Sequence, residues 1–364
     1  MKDIVIPKDR MTPKERMTAF AKGEEIDRIP INLMLGETGT SLCGVSVYDY
    51  SHNPEVMAQV EIDIFKKFRP DSSSVSITLR GVAEAMGSVL EYGGRNIPYV
   101  DDYFVKTPED VDKIEVINPL KDGRIPVVLE AYDRIVDAIG DEVGVGFGLA
   151  GPISVASNLC GAENLLRWCI KAPEAVEKMM NLIVESNNAI IDELAKRGAG
   201  ISFSDPVSST SLLRKKQFDK FSLPYLAANV KYFIEKTGRR PGIHICGKSK
   251  ELWDDVADTG IANFSIDNIE DLAEAKEVLG KKVVLIGNVP PFDVITAGDR
   301  ELIFNTVREC IKKGWDSENG YILAPGCQIP LNTPEENFQS FMDAGKYYGA
   351  YPIDLEKLDI EYKE

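Results

Sequence analysis

Eight short β-rich runs recur along the chain, each separated from the next by a longer stretch, and this recurrence restricts the fold more than any other feature. The runs are IPINLM (29–34), SSVSI (73–77), VGVGFGLA (143–150), AGISFS (199–204), GIHIC (242–246), ANFSI (262–266), VVLIG (283–287) and GYILA (320–324). Between them lie segments with helical spacing and charged outer faces, among them 173–198, 223–238, 250–260 and 300–314. Strands that alternate with helices pair in parallel, so eight such units predict an α/β fold, a closed (β/α)8 TIM barrel. An open doubly wound sheet is the competing arrangement. It places a Gly-rich phosphate turn after its first strand, whereas LGETGTSLCG follows here and does not match G-x-G-x-x-G.

The punctuation outside the alternation is simple. MTPKERMTAFAKGEE predicts a helix before the first run, with Thr12 as its cap, Pro13 at its first position and Glu15 three residues after the Thr. Residues 1–28 then form an N-terminal arm and helix. VLEYGGRNIPYVDDYFV (89–105) predicts a hairpin inserted on the barrel. No fixed-period repeat, low-complexity tract or long Gly/Ser/Pro linker divides the chain, so residues 1–364 read as one barrel domain. A content of 44% hydrophobic and 27% charged residues suffices for a sizeable core. The net charge of −16 repels phosphate backbones and anionic lipid, which excludes nucleic acid and the membrane surface as expected partners. No apolar run approaches the ~20 residues that span a bilayer, and the first residues lack a secretory apolar core. The expected location is the cytoplasm, where the six cysteines serve as buried apolar residues or as chemistry rather than as disulfides.

In a barrel of this kind, chemistry gathers at the C-terminal ends of the strands. The polar residues there are Glu37, Asp205, His244, Cys246, Asp267, Asn288 and Cys327. Residues two apart on a strand share a face, so His244 and Cys246 both project into the mouth. A core histidine beside a buried thiol is the structural alternative. Cys327 tips the balance, because it stands in the tight loop LAPGCQIP after the last strand, and barrel closure brings that loop within reach of the fifth strand. Two thiolates and one imidazole make a zinc set that leaves a fourth position open. The other histidine, His52, reads as a solvated residue near a helix. Cys160, Cys169 and Cys310 read as packing residues, and so does Cys43, although its loop borders the mouth.

The features MTPKERMTAFAKGEEIDRIPI, GPISVASNLCGAENLLRWCIKAPEAVEKMM, HICG, LIGNVPP and ILAPGCQIPLNTPEENF follow one another over essentially the whole chain. In that order they resemble the uroporphyrinogen decarboxylase superfamily, and within it the branch of methylcobamide:coenzyme M methyltransferases. The resemblance implies a (β/α)8 barrel with a catalytic zinc held by His244, Cys246 and Cys327. It also implies a corrinoid supplied by a partner protein, since no D-x-H-x-x-G signature for holding one is present. The implied reaction exchanges a methyl group between that carrier and a thiol. Methyl transfer from a substrate onto the corrinoid, as in O-demethylase relatives, is the alternative direction, with a small-molecule methyl donor in place of the thiol. Uroporphyrinogen decarboxylation is the more distant alternative: MLGETGTSL has no arginine where the decarboxylases carry an Arg-rich loop, and acidic substrate would meet Glu37 there.

Site roles follow from the same resemblance. Cobalamin-independent methionine synthase, a distant relative in fold, places a carboxylate between its His-x-Cys and its last Cys. Asp267 is accordingly expected as a resting zinc ligand or as support for His244. Asp205 and Glu37 are expected to position substrate or a proton, and Asn288 to donate a hydrogen bond at the mouth or to cap its turn. A zinc-stabilised binding module without catalysis is the remaining class, and a fourth protein ligand would favour it.

Overall fold

The computed structural model describes residues 4–93 and 96–363. Among them, β1 (Ser73–Ser76) is followed by β2 (Val89–Glu91), β3 (Tyr99–Asp102), β4 (Val145–Ala150), β5 (Gly200–Ser204), β6 (Gly242–Ile245), β7 (Asn263–Ile266), β8 (Val284–Val289) and β9 (Tyr321–Pro325). Seven of these make one curled parallel sheet in the order β1-β4-β5-β6-β7-β8-β9. β2 and β3 pair antiparallel, as expected for the inserted hairpin. β6 and β9 are buried along their whole length, the state of strands covered on both faces, and their near-continuous apolar composition follows from it.

The first expected strand departs from the prediction. Segment 29–34 makes a single parallel bridge, Ile31 to Leu323, instead of a ladder. The backbone N–H of Asn32 donates to Leu323 O at 2.9 Å, that of Leu323 to Pro30 O at 2.9 Å, and that of Asp71 to Ile31 O at 2.8 Å. The local chemistry accounts for the interruption. Pro30 has no N–H to give, and the N–H of Ile31 goes to the Asp71 carboxylate at 2.7 Å.

Asp71 belongs to a buried ion network that ties the arm beneath the sheet. Arg16, on the helix Pro13–Lys22, reaches Asp71 at 2.5 Å and Asp27 at 2.6 Å, while Arg28 reaches Asp71 at 2.6 Å and Asp9 at 2.6 Å. That helix starts as its sequence predicts, with Thr12 and Glu15 forming a capping box and Pro13 in the first turn.

The outer helices follow their apolar spacing. Pro173–Lys196 buries Val176, Met179, Met180, Ile183, Ile190, Ile191 and Leu194, one stripe at three- and four-residue steps. Leu223–Thr237 and Arg300–Gly314 also lie where they are expected. The expected helix over 250–260 is shorter: a single 3-10 turn at Lys250–Leu252 leads into Trp253–Ala257. One hydrophobic cluster runs from Ile29 to Leu358. No helix among the described residues is long and apolar enough to cross a membrane.

Candidate metal centre

β6 carries His244 between β5 and β7, in register with Ser204 on one side and Ser265 on the other. Cys246 follows at the C-terminal end of β6, and Cys327 lies in the loop just beyond β9. The ligand-type atoms of His244, Cys246 and Cys327 all lie within 4.8 Å of one another, and among the described residues no other His, Cys, Asp or Glu joins them. His244 Nε2 is 2.9 Å from Cys246 Sγ, and the two sulfurs are 3.1 Å apart. His244 is buried, whereas Cys246 and Cys327 are half-buried.

The imidazole is oriented by a residue that sequence reasoning passed over. His244 Nδ1 is 3.1 Å from Ser265 O and 3.0 Å from Ser265 Oγ. A carbonyl can only accept, so Nδ1 carries the proton and Nε2 presents its lone pair to the thiols. Ser265 stands two residues before Asp267 on the same strand; strand register was the signal that could have found it. The thiols are polarised against each other. The Cys246 hydrogen bond, helped by His244, holds the Cys327 thiol down at about 4 despite burial, while the same bond and burial push the Cys246 thiol far up. One imidazole nitrogen with two soft sulfurs fits zinc.

Asp267 does not join the cluster. Its Oδ2 accepts the N–H of Gly247 at 2.7 Å and its Oδ1 accepts the N–H of Ile269 at 3.0 Å. The carboxylate therefore fixes the backbone immediately after Cys246, and support of His244 falls to Ser265. Glu270 extends the same buckle by accepting the N–H groups of Ser249 at 2.5 Å and Lys250 at 3.0 Å. Asn288 is not a mouth donor. Its Nδ2 donates to Asp267 O at 3.1 Å and Glu270 O at 2.8 Å, so it pins the turn that carries both carboxylates.

Residues 12–348 match the model of the uroporphyrinogen decarboxylase (URO-D) family. The chain belongs to that family. Among URO-D relatives, the chain is 28% identical over 349 residues to the methylcobamide:CoM methyltransferase MtaA of Methanosarcina barkeri, covering 92% of this chain and 98% of the relative. It is also 28% identical over 344 residues to a methylated-thiol–coenzyme M methyltransferase of Methanosarcina mazei, covering 92% and 89% of the two chains. A solved methyltransferase from Methanosarcina mazei superposes with a TM-score of 0.81 at 28% identity, over 92% of this chain and 98% of that one.

Two further residues singled out in this URO-D chain lie in the wall around the sheet. Asp205, after β5, is wholly buried, and both of its oxygens are engaged: Oδ1 accepts from the N–H and hydroxyl of Ser154 at 3.1 and 2.6 Å, and Oδ2 from the Ser208 hydroxyl at 2.7 Å. Burial pushes its carboxyl up to about 6 against those bonds. It fastens helix Pro152–Cys160 to the end of β5 and turns nothing toward the mouth.

Glu37 is buried in a 3-10 turn, Gly36–Thr38, and its Oε1 has no hydrogen-bond partner. Burial raises its carboxyl while Arg80 and Arg124 pull it down. The loop itself lacks arginine, as its sequence says, but two arginines from elsewhere in the chain, Arg80 and Arg124, act on Glu37 electrostatically. Of the remaining cysteines, Cys160, Cys169 and Cys310 are buried, with thiols pushed up to about 12, 11 and 11 by burial, as packing residues are. Cys43 is half-buried and raised by burial. His52 ends the helix Val47–His52, where its ring stacks on Tyr48 at 4.2 Å.

Proposed function

We propose that this URO-D chain is a zinc-dependent methyltransferase that moves a methyl group between a corrinoid, carried by a partner protein, and a small thiol. The observation that carries the reading is the convergence of His244, Cys246 and Cys327 at the C-terminal mouth of the sheet. His244, Cys246 and Cys327 would hold the metal, with Ser265 setting the imidazole tautomer and Asp267 and Glu270 holding the loop that presents Cys246. When bound, zinc supplies the Lewis acidity that keeps a thiol deprotonated near neutral pH, where a free thiol with pKa near ~8.5 is mostly protonated. Among the described residues three protein groups converge, which favours an enzyme with an open position over a closed structural site. The name of the barkeri relative supports methylcobamide as the methyl carrier, and that of the mazei relative supports thiol chemistry.

The same reading takes the curled sheet as a closed eight-staved barrel within a single domain spanning residues 1–364, its arm formed by residues 1–28. Segment 29–34 would be the eighth stave between β1 and β9. The bridge from Ile31 to Leu323 and the bond from Asp71 N–H to Ile31 O support that placement on its two sides.

The test joins metal content to turnover. Purified protein should hold about one zinc per chain, and Cys246→Ser and Cys327→Ser should each lose most of it. Zinc-loaded protein incubated with methylcobalamin and a panel of small thiols should convert the methylated corrinoid spectrum to the demethylated one, and both variants should fail to do so. Full zinc occupancy in the two variants, or an unchanged spectrum with every thiol, would overturn the proposal.

A further inference from the structure

We propose that Ser209 and Ser211, in the turn after β5, are positioning residues for the metal ligand Cys246, acting through the peptide units of Gly247 and Lys248. Both hydroxyls meet the backbone that follows Cys246 rather than its sulfur. The inference rests on the metal-centre part of the proposed function and is independent of the reaction that the metal serves.

β6 ends at Ile245, so Cys246 has left the strand and its sulfur is placed only as well as the residues after it are held. Gly247 turns the chain there with φ 76°, in the left-handed region that favours glycine. A Cβ on Gly247 would lie 2.7 Å from Ser209 Oγ and 2.9 Å from Ser211 Oγ, so the serine turn packs directly against this joint. Ser209, 1% exposed, donates its hydroxyl to Lys248 O at 3.0 Å and accepts the N–H of Ser211 at 3.1 Å. Ser211 Oγ in turn accepts the N–H of Lys248 at 3.1 Å. Thr210, between the two serines, adds its own N–H and hydroxyl to Lys248 O, each at 2.9 Å.

Three donors thus meet one carbonyl oxygen that has two lone pairs. Two of them satisfy that oxygen, so the third fixes the peptide in place rather than completing its hydrogen bonding. The N–H side is equally engaged: that of Gly247 goes to Asp267, that of Lys248 to Ser211, and those of Ser249 and Lys250 to Glu270. Four consecutive N–H groups are therefore taken by side chains from the turns after β5 and β7, the two strands that flank β6. The sulfur of Cys246 is thereby kept 2.9 Å from His244 Nε2 and 3.1 Å from Cys327 Sγ. A ligand held in advance loses little freedom on binding, and groups that hold it so raise metal affinity without touching the ion.

Metal affinity and a metal spectrum together separate positioning from plain stability. Cobalt(II) in place of zinc makes the ligands visible, because its d–d and sulfur-to-metal bands follow ligand number and geometry. The pair variant Ser209→Ala, Ser211→Ala should bind zinc about tenfold or more weakly in competition with a chromogenic chelator, and its cobalt d–d bands should shift. Circular dichroism should show it folded, since Thr210 still gives Lys248 O two donors. Ser211→Thr keeps the hydroxyl and should match the parent in both readouts. Ser211 is exposed, so Ser211→Ala folds even where the pair variant does not, and it should show the same shift with a smaller loss of affinity. Parent-like affinity and cobalt bands in the pair variant, or in Ser211→Ala where the pair variant does not fold, would overturn the proposal, and a lower melting temperature alongside them would make the serines purely structural. Equal losses in Ser211→Ala and Ser211→Thr would overturn it as well. A parent without cobalt–thiolate bands would overturn the positioning role and the metal centre together. The expected serine effects in a protein that transfers no methyl group to any thiol would sink the methyl-transfer reading and leave the positioning role standing.

Discussion

Ser265 shows how much of this centre depends on residues that carry no chemistry of their own. Two of its oxygens lie within 3.1 Å of His244 Nδ1, and among the described residues no other acceptor reaches that nitrogen. The backbone carbonyl alone would preserve the tautomer, but the hydroxyl adds a second contact that limits rotation of the ring. Ser265→Ala is therefore expected to weaken zinc binding by about 10-fold or more, the usual scale for an outer partner of a ligating histidine, while the metal stoichiometry at saturating zinc stays the same. Competition against a chromogenic chelator measures it, and an unchanged affinity would show that Ser265 O suffices. His244 and Cys246 were legible as a pair because two positions along a strand return to the same face. Ser265 was not, because its role depends on which strand lies beside β6 and in what register.

The elements that bear the site are held by side-chain clamps more than by their own ladders. Segment 29–34 is the clearest instance: its apolar alternation predicts a strand, yet Pro30 and the Asp71 carboxylate together leave it one bridge. Asp71, fully buried, meets Arg16 and Arg28 and also the N–H of Ile31, so one carboxylate joins the arm, the segment and the entry to β1. Asp71→Asn would remove the carboxylate that two buried guanidinium groups share, leaving Arg16 to Asp27 and Arg28 to Asp9, and breaking a buried pair in this way costs about 3–5 kcal/mol. Denaturant unfolding should show a loss of that size. A loss below about 1 kcal/mol would mean that Asp9 and Asp27 carry the network without it. The turn after β7 is a second clamp, where Asn288 pins Asp267 and Glu270 and these hold the backbone beyond Cys246. Sequence reasoning found Asp267 and Asn288 by their place at strand ends and expected Asp267 as a zinc ligand or support for His244 and Asn288 as a mouth donor or a turn cap, since a polar group at a strand end gives no sign of whether its partners are already taken.

At the scale of the whole molecule, the apolar cluster that runs from Ile29 to Leu358 owes nothing to the metal centre. Small zinc domains unfold when the ion is removed because the ion replaces a core, whereas a chain of 364 residues has its own. A Cys246→Ser, Cys327→Ser double variant should therefore lose its zinc yet keep its circular dichroism spectrum, with a melting temperature within about 5 °C of the metal-free parent. Collapse of the spectrum would make the ion structural. The order of strands and helices, the capped arm helix and the shared face of His244 and Cys246 were determined by the sequence itself, because each is a matter of spacing between near neighbours. Cys327 was named from its loop after the last strand, whereas tertiary structure alone decided that its sulfur lies 3.1 Å from that of Cys246, that Asp267 serves Gly247, and that Asp205 is taken up by Ser154 and Ser208. The reason is physical: periodicity records which side of an element is buried, but the partner of a polar group is set by the packing of distant elements, and no local pattern encodes that distance.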